Sequence, residues 1–151
     1  MPSPWAPINE LHEIIGWGAV FLACGLALVM GGKIERTAGL IGLADAFGLL
    51  VLTLVFSRYD RSILAEVKAA GILVAYGAMV VRWPAPWLVL MTALQAFAVL
   101  LHLSTFIDRT ILSSVNGLLL NGVGWAMLVL LAAATIVQRF SQRDRRRVAT
   151  T

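Results

Sequence analysis

The sequence predicts an all-α membrane protein, a bundle of about five transmembrane helices with the N-terminus outside and the C-terminus cytoplasmic. Three observations predict it. Of 151 residues, 60% are hydrophobic and 13% charged, with a mean hydropathy of +0.86, whereas a soluble domain carries about 25% charged residues. Apolar runs of about twenty residues, the length that crosses a bilayer, recur between short polar stretches. Basic residues crowd behind the last run, in the pattern of a cytoplasmic anchor. A chain of this size has room for one core but lacks the polar surface to wrap it in water. That excludes a soluble enzyme, a DNA-binding module and a disordered chain.

The first span covers about residues 11–31. Pro2, Pro4 and Pro7 in the lead before it argue against a continuous helix there, and Trp5 and Trp17 suit the membrane interface. The first 32 residues hold no Lys or Arg and no Ala-x-Ala-like site follows, so this run is expected to stay as a span and not to be cleaved as a signal peptide. The second span, 37–56, lies between Lys33-Ile34-Glu35-Arg36 and Arg58-Tyr59-Asp60-Arg61. The third, 63–81, is the most polar, with Glu66 and Lys68 in its first turns. The fourth, 87–107, follows the Pro84/Pro86 loop, and the fifth, 111–137, carries no charge. Short connections make consecutive spans antiparallel neighbours. Residues 1–138 are thus read as a single bundle and 139–151 as a basic tail. A four-span arrangement, with the third segment lying flat or the first interfacial, is the alternative.

Orientation follows from the basic residues. Lys33, Arg36, Arg82 and the tail arginines Arg139, Arg143, Arg145, Arg146 and Arg147 make eight on one side, against Arg58, Arg61 and Arg109 on the other. The positive-inside rule puts the eight in the cytoplasm, in a bacterial inner membrane. The tail arginines are expected at lipid headgroups, each worth about 1 kcal/mol near an anionic surface. This placement, and not a nucleic-acid partner, accounts for the net charge of +4.

Polar groups inside spans are costly unless satisfied, so they mark the informative positions. These are Asp45, Glu66, Lys68, Gln95, His102, Asn116 and Asn121. Asp45 is expected to point into the bundle, either protonated or paired with Lys68 of the neighbouring antiparallel helix. Gln95 and His102 share one helix face, with Asn116 or Asn121 as expected partners. On the deduced topology these residues gather toward the outer half. They serve either as hydrogen bonds between helices or as the lining of a polar cavity open to the outside. Small residues at 113, 117, 121 and 124, and Ala38, Gly42 and Ala46, form two stripes suited to close helix packing.

Catalytic and metal options are thin. Nucleophilic catalysis needs a Ser or Cys with a base in reach. His102 is the one intramembrane imidazole, and no G-x-S-x-G elbow accompanies it. Cys24 is alone and reads as a small packing residue. His12 and His102 belong to distant segments, so no metal site is expected. His102 could hold one axial position of a bacteriochlorophyll or haem, since Ala98-x-x-x-His102 resembles the Ala-x-x-x-His pattern of light-harvesting polypeptides.

The segment Trp87-x7-Gln95-x3-Val99-x2-His102 resembles an uncharacterised family of small multi-pass inner-membrane proteins of alphaproteobacteria, in which a Trp-rich loop precedes a helix bearing Gln and then His. The resemblance covers about 20 residues. It implies an inner-membrane helical protein and carries no activity with it.

The function expected from these features is a non-catalytic accessory or structural subunit of a larger inner-membrane complex, packed by its small-residue faces against other subunits or a second copy. Two alternatives stay open: a small transporter or channel with a polar outer-half cavity, and a pigment- or haem-binding protein using His102.

Overall fold

The computed structural model describes the backbone of residues 6–55, 58–107 and 113–148, and the side chains of 14–52, 54–55, 64–104 and 117–141. Asn116, Arg143, Arg145, Arg146 and Arg147 fall outside the described side chains, as do Arg58, Arg61 and Arg109. Five α-helices make up the described residues: α1 (Ala6–Met30), α2 (Lys33–Val55), α3 (Arg58–Arg82), α4 (Pro86–Ile107) and α5 (Ser113–Val148). The first four have 22 to 25 residues, or about 33–38 Å at 1.5 Å per residue, against a hydrocarbon core of about 30 Å. Leu64–Arg82, Pro86–Ser104 and Gly117–Ser141 are each long and apolar enough to cross a membrane, and α1 contributes the shorter apolar stretch Ile14–Met30. Leu22, Val29, Leu54, Val74, Val81 and Leu118 are each more than 70% exposed on the outside of the bundle. A surface of that kind suits lipid, not water.

Each helix packs on the next in chain order and α5 returns to α1, so the bundle closes into a ring, with α2 also touching α5 across it. The core lies toward one end. There Cys24 and Ala27 of α1, Ala38 of α2, Tyr76 and Met79 of α3, Leu88 and Met91 of α4, and Leu131 of α5 are buried together. The connections 31–32 and 83–85 sit at this same end, where the Lys33 ammonium lies 5.7 Å from the Trp83 ring centre. Gly31 is required at the first turn: a Cβ there would collide with the Ala27 carbonyl and stand 2.7 Å from Glu35 Cβ. Arg36 Nε donates to the Gly31 carbonyl at 3.0 Å, covering the end of α1. Pro86 opens α4 at a position where its missing N–H costs nothing.

Several expectations change. Pro7 falls in the first turn of α1, where proline is tolerated, so the helix begins before residue 11. Arg58 to Arg61 belong to the start of α3 and not to a loop. The basic tail expected from residue 139 continues α5 as helix through Val148, because Gln and Arg favour helix and an existing helix propagates readily. Of the two small-residue stripes, the one on α2 is used. A Cβ on Gly42 would stand 3.0 Å from Cys24 Sγ and one on Gly39 would stand 3.1 Å from Ala27 Cβ, so α1 and α2 approach closely through these positions. The stripe on α5 is open, with nothing within 4 Å of a Cβ on Gly117 or Gly124. Hydropathy alone does not tell which small-residue face meets a helix of the same chain.

Candidate functional site: a cavity inside the ring

A cavity of about 540 Å³ lies inside the ring, walled by all five helices. Its floor is the packed core, with Cys24, Tyr76, Met91 and Leu131 shared between floor and core. Away from the floor, Asp45, Lys68, Gln95, His102 and Asn121 line it. Five of the seven intramembrane polar residues singled out from the sequence thus reach one space, from α2, α3, α4 and α5. Trp17, which stacks on Phe21 at 6.1 Å, and Trp125 add aromatic wall. Trp17 therefore serves the cavity in addition to the membrane boundary suggested by its type.

Helix α3 supplies the partners. Lys68 Nζ donates to Asp45 Oδ1 and, at 3.1 Å, to the Asp45 backbone carbonyl. The ion pair with Lys68, one of the two states expected for Asp45, is the arrangement present. The lysine stem passes over Gly48, where a Cβ would stand 3.2 Å from Lys68 Cδ. Gln95 Nε2 donates to the Ala69 carbonyl at 3.2 Å. His102 Nδ1 lies 3.6 Å from Glu66 Oε1, an electrostatic contact longer than a hydrogen bond. The partners expected for Gln95 and His102 were Asn116 or Asn121 on α5. Both neighbours come from α3 instead, because the ring sets α4 between α3 and α5 and rotates this face toward α3. Asn121 lines the cavity and is exposed within the chain.

Glu66 differs from the other polar groups. It is not among the residues that line the cavity, but its neighbour His102 is. Its Oε2 is buried and has no hydrogen-bond partner among the described residues, a costly state for a carboxylate oxygen. Among those residues, no three His, Cys, Asp or Glu groups stand together as a metal site would require.

Glu35 is not among the residues singled out from the sequence. It is 4% exposed at the closed end, in the first turn of α2, where an acidic group suits the helix dipole. Its Oε2 and Gln138 Nε2 both border Gly32. The signal was available in the acidic residue at a helix start but was read only as part of a charged loop. Thr135, fully buried on α5, donates its hydroxyl to the Leu131 carbonyl at 2.8 Å and so needs no partner from another helix.

No protein-family model, curated protein or solved structure matches the chain.

Proposed function

We propose that the chain is a multi-pass protein of the bacterial inner membrane, with all five helices inserted, the N-terminus outside and the C-terminus cytoplasmic. Its bundle then forms a chamber that binds a small molecule and admits it from the outer side, as a small transporter does. The observation that carries this reading is the convergence of Asp45, Lys68, Gln95, His102 and Asn121 on one cavity. Polar groups that only joined helices would have no need to border a common open space. Here they share a space of the volume that small-molecule sites occupy, about 300–1,000 Å³, above an apolar floor.

The accessory-subunit reading is favoured by a different observation. Gly122 of α5 does not line the chamber and has open space where a Cβ would stand, a small residue that suits the close approach of another membrane helix. The two roles are compatible, since a chamber protein can sit in a larger assembly.

Cysteine accessibility tests the chamber. In a Cys24→Ala background, Asn121→Cys should react with a membrane-impermeant maleimide added outside intact cells. Val74→Cys, on the outer surface of α3, should stay unmodified, because a thiol in hydrocarbon does not form the reactive thiolate. Equal labelling of the two positions contradicts the chamber.

A further inference from the structure

The titratable groups facing the chamber or its wall, among the described residues, are Cys24 from α1, Asp45 from α2, Glu66, Lys68 and Tyr76 from α3, and His102 from α4. Helix α5 contributes the uncharged Asn121. Two carboxylates therefore face one ammonium, and that ammonium is engaged by Asp45 at two points. Among the described residues, Glu66 is left with no ammonium or guanidinium partner, and one of its oxygens is buried and unpartnered. A single positive charge nearby would balance it.

Two sources can supply that charge. One is a proton held by the Glu66–His102 pair. The other is a cation in the chamber, which His102, the neighbour of Glu66, helps to line. On the reading of this cavity as a binding chamber, we infer that it takes a monovalent lipophilic cation, of the quaternary ammonium or phosphonium class, in exchange for a proton held between Glu66 and His102. Both species answer the same negative charge, so each weakens the other. As the cation enters, the proton leaves from the imidazolium N–H or the carboxyl O–H to water. One positive charge arrives, one departs, and no bond forms to the ligand.

Two further observations point the same way. Trp17, Tyr76 and Trp125 line the chamber, and aromatic faces attract cations. Charge along the described helices is also divided between the two ends. The Asp45, Glu66 and Lys68 half, with the helix ends beyond it, holds five acids (Glu10, Glu13, Asp45, Asp60, Glu66) against three bases (Arg58, Arg61, Lys68). The other end holds two acids (Glu35, Asp144) against eight bases. A net of −2 at the chamber end and +6 at the other draws cations toward the chamber side.

The test uses the full chain purified in detergent, with tetraphenylphosphonium and tetraphenylborate as probes of one shape and opposite charge. Calorimetry in two buffers of different ionisation heat counts the protons exchanged. The phosphonium should bind at least about tenfold more tightly than the borate and release about one proton per cation bound. Glu66→Gln should abolish the release, and Glu66→Asp should retain it. Equal affinity for the two ions overturns the cation class. Phosphonium binding without proton release by the unaltered chain overturns the exchange, whether or not the variants fold. Absence of phosphonium binding, with Asn121→Cys still labelled from outside, overturns this inference and leaves the chamber standing.

Discussion

Lys68 of α3 reaches across to α2 and holds Asp45 at two points, the carboxylate and, at 3.1 Å, the backbone carbonyl. Gly48 makes the reach possible, since its missing side chain leaves a path for the lysine stem. The pair ties the polar part of the ring together where the apolar core no longer does, and it fixes the lysine on the acid that lines the chamber, Asp45.

Removing either partner should destabilise the bundle. Lys68→Met and Asp45→Leu should each cost about 2 kcal/mol, below the 3–5 kcal/mol of a fully buried pair because both groups are partly exposed. The double variant should recover most of the loss, because no charge is then left alone. Thermal unfolding of the four proteins in detergent forms the double-mutant cycle. Additive losses would mean that the two residues do not act as a pair.

The same substitution at two glycines should have opposite signs. A Cβ on Gly39 would stand 3.1 Å from Ala27 Cβ and 3.2 Å from the Cys24 carbonyl, whereas nothing lies within 4 Å of one on Gly71. Gly39→Ala must push α1 and α2 apart and should cost about 1–2 kcal/mol. Gly71→Ala should gain about 0.5–1 kcal/mol from helix propensity. Unfolding midpoints in detergent check both, and a gain at Gly39 would contradict the close α1–α2 contact.

Much of the fold was legible because hydropathy counts apolar runs well. Helix rotation was not, and the reason is physical. In a bundle for lipid the outward face is as apolar as the inward one, so periodicity gives weak guidance on which side points in. That is why the open glycines of α5 read as packed, and why Gln95 and His102 were matched to α5 when their neighbours are Ala69 and Glu66 of α3. Polar residues carry the orientation that apolar ones lack, so Asp45, Lys68, Gln95, His102 and Asn121 were found as a set. The unpartnered oxygen of Glu66 depends on side-chain placement and has no counterpart in the sequence.

Reporter fusions check the orientation. A fusion after Thr151 should report from the cytoplasm and one inserted between residues 56 and 57 from the periplasm, following eight basic residues against three. A periplasmic C-terminus would put the chamber on the cytoplasmic side and reverse the direction of access.

Protection of Asn121→Cys tests whether the chamber admits a cation from the outer side. Its labelling rate in intact cells, in the Cys24→Ala background, is measured with and without tetraphenylphosphonium, and again with tetraphenylborate. Asn121 lines the cavity, so an occupant should shield it. The phosphonium should slow labelling by about tenfold at ten times its Kd, and the borate should have little effect. Labelling at one rate in all three conditions would contradict cation entry.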